Sequence, residues 1–152
     1  MHPGPEVWHE AGHAVVARWQ GGVVREVTIE SELDNHMGHT EVEWAGFGAI
    51  ERARRAAMVS LAGPIAEVLE TGADPTDPAT LSTWRGDWAG AINSIRRLST
   101  RAEERHRIRK RMVQEITAFL RDPTVRERLA RVVDALDAHG TLDETLFDDA
   151  LG

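Results

Sequence analysis

The sequence predicts an α+β domain that is mostly α-helical and carries a small antiparallel sheet. Three observations point there. Apolar residues recur at helical spacing along most of the 152 residues. Only two short segments, 23–30 and 38–44, show the β-branched or alternating pattern of strands. Pro5, Gly21-Gly22, Pro123 and Gly140 fall where helices would begin or end. A chain of this length suits one domain spanning 1–152.

In chain order, Pro5 and Glu6 suit a first helical turn, because proline's missing N–H is not needed there and a carboxylate favours the positive helix end. The helix should run to about Gln20 and stop at Gly21-Gly22. Trp8, Gly12, Val15 and Trp19 share one stripe and are expected to pack in the core, with Gly12 admitting a close neighbour. Strands over 23–30 and 38–44 should pair antiparallel across a polar turn at 31–37. The apolar spacing of Ile50, Ala53, Ala57, Leu61, Ile65 and Val68 predicts a helix over 49–71, which Pro64 should kink or restart. Residues 72–83 read as a loop by composition. A helix over 84–98 follows, with Trp88, Ala91, Ile92 and Ile95 as its apolar face. A charged helix is expected over 101–121. After Asp122-Pro123 comes another, with Thr124 and Glu127 at capping-box spacing, ending at Gly140. Thr141 with Glu144 should open a last short helix.

Composition excludes several functions. Lys plus Arg number 18 and Asp plus Glu 25, a net charge of −7, which does not suit a nucleic-acid binder. The basic run Arg105, Arg107, Arg109, Lys110 and Arg111 is diluted by Glu103, Glu104 and Glu115, and reads as a solvated helix face. Cysteine is absent, so disulfides, thiolate metal sites and a thiol nucleophile are excluded. The longest apolar run, 56–66, is too short to span a bilayer, and no signal peptide is visible; the expectation is a cytoplasmic protein.

Residues 9–13 read His9-Glu10-Ala11-Gly12-His13, a His-Glu-x-x-His motif. On a helix, positions i and i+4 share a face, so both imidazoles can bind one zinc ion at about 2.0–2.1 Å. Glu10 can then act as general base on a water that zinc has made acidic. Composition alone would produce the motif roughly 0.03 times in such a chain, and here it falls inside an independently expected helix. A catalytic zinc needs a third protein ligand and one open position. Two carboxylates compete. Glu67 lies on a helical segment 54 residues after His13, and Asp87 follows a loop at the expected start of the next helix. The residues alone leave that choice open. His36 and His39 sit in or beside a turn and strand and read as surface residues.

The chain resembles the peptidase domain of the FtsH family, the membrane-anchored ATP-dependent zinc proteases. The matching pieces keep the family's order: HEAGHAVVA (9–17), VTI (27–29), GHT (38–40), LAGPIAEVLETG (61–72), GDWAGAINSIRRL (86–98) and TLDE (141–144). The resemblance implies a mainly helical zinc peptidase fold. It implies that Asp87 is the third zinc ligand and that Glu67 is not a ligand. The departures are as informative. No Gly-x-x-x-x-Gly-Lys-Ser/Thr phosphate loop occurs in the 152 residues, and no run among them reads as a membrane anchor. Pro64 stands where the family has Arg after two glycines, and His39 replaces Tyr.

Two functions follow as expectations. One is an ATP-independent zinc metalloendopeptidase acting on peptides or unfolded chains, with His9, His13 and Asp87 on zinc and Glu10 as base. The other is a zinc-containing peptide- or partner-binding module with little turnover. No nucleic acid is expected as partner; an oligomer or a separate motor chain stays open. Residues 38–43 are expected to form an edge strand on which a substrate binds extended by backbone pairing.

Overall fold

The computed structural model describes residues 2–30 and 38–152, as six helices and three strands among those residues. Helix α1 (Pro5–Trp19) starts with proline at its first turn and Glu6 beside it, and ends before Gly21, whose φ of 87° needs a residue without a Cβ. Strand β1 (Val23–Thr28) pairs antiparallel with β2 (His39–Glu43), Thr28 opposite His39 and Val23 opposite Glu43, with a bulge between Val24 and Glu26. The polar turn expected at 31–37, and His36 with it, lies outside the described residues.

Helix α2 (Ala49–Thr71) is the main support of α1. Gly12 is where they approach most closely: a Cβ there would lie 2.5 Å from Ala66 Cβ and 2.9 Å from the Ala62 carbonyl. The small residue expected to admit a neighbour does so. Pro64 does not restart the helix; α2 runs through it as one element. Its predecessor is Gly63, which has no Cβ to crowd the proline ring, so the usual penalty on the α conformation before proline is reduced.

Helix α3 (Pro78–Arg96) begins six residues before the expected start. Asp77 caps it by accepting from the Ala79 N–H, and Pro78 occupies the first turn, so half of the expected loop is helix. Asp87 therefore lies mid-helix, away from the N-terminus of α3. The expected apolar face also shifts: Trp84, Ala91 and Ile95 are buried, whereas Trp88 is 42% exposed under the Arg109 guanidinium.

Helices α4 (Ala102–Arg121) and α5 (Pro123–His139) close the core from the other side. Asp122, rather than the expected Thr124–Glu127 pair, caps α5 by accepting from the Thr124 and Val125 N–H groups. Residues Thr141–Asp143 form β3, which the sequence reading missed, on the other side of β1 from β2. Asp143 then caps α6 (Glu144–Leu151) through the Leu146 N–H. The sheet order is β2-β1-β3, all antiparallel, so among the described residues β2 is an edge. Leu61, Val16, Val27, Ile116, Leu136 and Phe147 are buried at the centre where helices and sheet meet. Trp19 is not core: it is 42% exposed and stacks on Phe119 at 4.0 Å between ring centres. No helix among the described residues is long and apolar enough to cross a membrane.

Candidate metal centre

Helical spacing places His9 and His13 one turn apart on the side of α1 that faces α2 and α3. Their ring centres are 4.7 Å apart and the rings are nearly perpendicular, at 78°. Both histidines and Glu10 are buried, and possible ligand atoms from the three lie within 4.8 Å of one another. Buried polar groups cost free energy unless partnered, so their partners define the site.

Each ring is fixed from behind. His9 Nδ1 donates to Glu67 Oε1 at 2.6 Å, and His13 Nδ1 donates to the Val59 carbonyl at 2.6 Å. Both acceptors lie on α2. With the ring protons placed there, each Nε2 keeps its lone pair and points the other way. Both Nε2 atoms meet the same oxygen, Asp87 Oδ2 on α3, at 2.6 Å from His9 and 3.2 Å from His13. Three electron-pair donors thus converge on one region, and only a proton or a cation between them makes that arrangement stable. Asp87 is the most open of the three, its side chain 24% exposed.

The electrostatics follow from this geometry. Burial works against a charged His9 ring, but the hydrogen bonds to Asp87 and Glu67 outweigh it and raise His9 to about 9. Burial likewise opposes charge on His13, and Asp87 again prevails, so His13 is raised. Burial alone would raise Asp87, but hydrogen bonds from His13 and His9 hold it far below the ordinary carboxylate range.

The donor set fits a zinc ion. Two tetrahedral ligands at about 2.0–2.1 Å from a metal lie about 3.3 Å apart, close to the 3.2 Å between His13 Nε2 and Asp87 Oδ2. The shorter His9 contact is that of a charge-assisted hydrogen bond. Gly63 on α2 makes room: a Cβ there would lie 2.5 Å from His13 Nε2 and 2.8 Å from His9 Cδ2. The fixed Nδ1 partners are those expected behind metal-ligating histidines.

Among the residues expected at the site, the structure brings together His9, Glu10, His13 and Asp87. Glu67 stands on the far side of the His9 ring from Asp87. His39 is exposed on β2. Two contributors went unread in the sequence: Gly63 and the Val59 carbonyl carried no signal. The start of the strand expected over 38–43 presses on Glu10: Thr40 Oγ1 donates to Glu10 Oε1 at 3.4 Å, and a Cβ at Gly38 would lie 2.5 Å from Glu10 Cγ.

No protein-family model and no curated protein matches the chain. The case for function therefore stands on these residues.

Proposed function

We propose that this chain is a zinc-dependent endopeptidase, of the kind that its resemblance to the FtsH peptidase domain implies. The observation that carries the reading is the convergence of two histidine Nε2 atoms and one Asp87 oxygen, with both Nδ1 atoms tied to α2. His9, His13 and Asp87 would hold the metal. A zinc ion there supplies Lewis acidity, making water acidic and polarising a peptide carbonyl. Glu10 is buried one residue after the first ligand, within reach of the same space. Its role is to take the proton of the attacking water and deliver it to the leaving amine. Thr40 orients its carboxylate, and Glu67 holds the His9 ring in the tautomer a metal needs.

The edge strand β2 suits an extended substrate. Ile29 donates to the Gly140 carbonyl on the β3 side, so alternation turns Thr28 toward its partner His39. Thr40, next along, then directs its N–H and C=O away from β1, to the open edge. A peptide pairing there would lie beside Glu10. Most backbone N–H and C=O groups of a folded protein are already paired, which favours peptides and unfolded chains as substrates. The 152 residues contain no nucleotide-binding loop, so any ATP-driven unfolding would come from another chain or segment. A module that only binds a partner has no use for a buried carboxylate beside the ligands, and Glu10 therefore favours the enzyme. Digestion of an unstructured peptide library by the purified protein tests the reading: cleavage that chelation abolishes and zinc restores is expected. A zinc-loaded protein that cuts nothing would leave the binding module as the better account.

A further inference from the structure

A cavity of about 620 Å³ opens onto His9 and Glu10, between the N-terminus of α1 and the segment leading into α3. Its walls include Pro5, Ala73 and Ala79, and no Lys or Arg among the described residues lines it. Three carboxylates do, besides those of the metal centre: Glu6, Asp74 and Asp77. Some surface acids, such as Glu43, Glu70 and Asp148, meet an arginine, and others do not. Glu6, Asp74 and Asp77 meet none among the described residues.

The two aspartates are fixed in place while keeping an oxygen free. Asp74 Oδ1 accepts from the Thr76 N–H at 2.8 Å and from its hydroxyl at 2.7 Å, which holds Asp74 in the ionised form. Asp77 Oδ1 accepts from the Ala79 N–H at 3.0 Å. In each, Oδ2 has no partner among the described residues. The result is an open cleft with apolar wall patches and exposed, unneutralised carboxylates, contiguous with the proposed catalytic residues.

We propose that this cavity selects substrates by a lysine or arginine side chain close to the scissile bond, an inference that rests on the peptidase reading. The chemistry matches in two ways. A long aliphatic stem covers apolar wall while its charged tip reaches the carboxylates. The volume exceeds what a backbone amine needs and accommodates a full side chain. An acidic side chain is repelled, and a neutral one of equal length gains the walls but not the charge.

The test is binding, so that it does not depend on turnover. Zinc-loaded Glu10→Gln protein is titrated with end-blocked peptides identical except for lysine, norleucine or glutamate at one position. Lysine is expected to bind about tenfold more tightly than norleucine, the effect of one modest charge interaction, and the preference should shrink with added salt. Glu6→Gln with Asp74→Asn, in the same background, should reduce it to about threefold or less. Both changes keep the shape and the Thr76 hydrogen bonds, and Asp77 is left alone because it caps α3; circular dichroism confirms the fold. Equal binding of lysine and norleucine peptides overturns the inference. So does a preference that survives the double substitution, or one that follows a free N-terminal amine instead of the side chain. The two readings fail separately. Wild-type protein that cuts norleucine and lysine peptides equally keeps the peptidase and loses the pocket. A protein that cuts neither loses the peptidase, while the titration still decides the pocket.

Discussion

Gly63→Ala is a small change with a large expected effect on metal binding. The new Cβ would lie 2.5 Å from His13 Nε2, 2.6 Å from His13 Cε1 and 2.8 Å from His9 Cδ2, whereas ordinary contact begins near 3.4 Å. Something must therefore move by 0.6–0.9 Å, the differences from that contact. The rings cannot swing away freely, because Glu67 and the Val59 carbonyl hold their Nδ1 atoms at 2.6 Å. The metal-facing nitrogens would be displaced by more than the roughly 0.2 Å that a coordination sphere tolerates. A loss of zinc affinity of about 100-fold or more is expected, a scale at the upper end of what disturbed ligand orientation costs. Helix propensity works in the opposite direction, since alanine is favoured over glycine by about 0.5–1 kcal/mol in a helix interior, although here Pro64 penalises a Cβ on its predecessor. The readout is accordingly zinc affinity by competition with a chromophoric chelator, with far-UV circular dichroism as the fold check. Gly90→Ala is the control: its Cβ would meet only Ser60 Oγ at 3.4 Å, and zinc affinity should not change. A folded Gly63→Ala protein with parental zinc affinity would refute the placement of the metal between the two rings.

The remaining expectations use other atoms of the same site. Asp87→Ala should abolish high-affinity zinc binding and activity together, whereas Glu67→Ala should weaken zinc by about 10–100-fold and leave a measurable site; elemental analysis giving the reverse order would exchange their roles. In chelated protein, His9 is raised from 6.5 to about 9, so its stabilisation is complete below pH 6.5 and is lost as pH rises through 9. Denaturant titrations should then show a loss of about 3 kcal/mol between pH 6.5 and 9.5, and a flat profile would contradict the His9–Asp87 pairing. Thr40→Pro removes an outward N–H on β2 and should slow peptide cleavage with zinc content intact; undiminished cleavage would discard substrate pairing at that edge.

The metal-facing half of the site was legible because it is local. The i, i+4 spacing of His9 and His13 needs only a helix, and Gly12 announces its close neighbour within the same stripe. The rest depends on partners distant in sequence. Gly63 is required by rings 50 and more residues earlier, and no spacing in α2 reveals that. Asp87 stood in a segment whose helix began at Asp77-Pro78, the same cap-and-proline pair recognised at Asp122-Pro123; the surrounding Gly, Pro and Thr residues concealed it. Its ionised form is secured by His9 and His13. Strand β3 is three residues long, too short for an alternating pattern, and exists because β1 offers it a free side. Trp19 and Trp88 sit at apolar spacing yet remain partly in water, each covered on one face by Phe119 or Arg109.

The most direct test of the central claim is the cleavage rate of Glu10→Gln carrying one zinc per chain, compared with equally loaded parent protein on the same unstructured peptide. Glutamine keeps the size of the side chain and the bond from Thr40 but cannot accept the proton of water. The account predicts unchanged zinc content and a rate lower by about 10²–10⁴-fold or more. Parental cleavage by the zinc-loaded variant would contradict it, because the buried carboxylate between the two histidines would then have no part in the reaction.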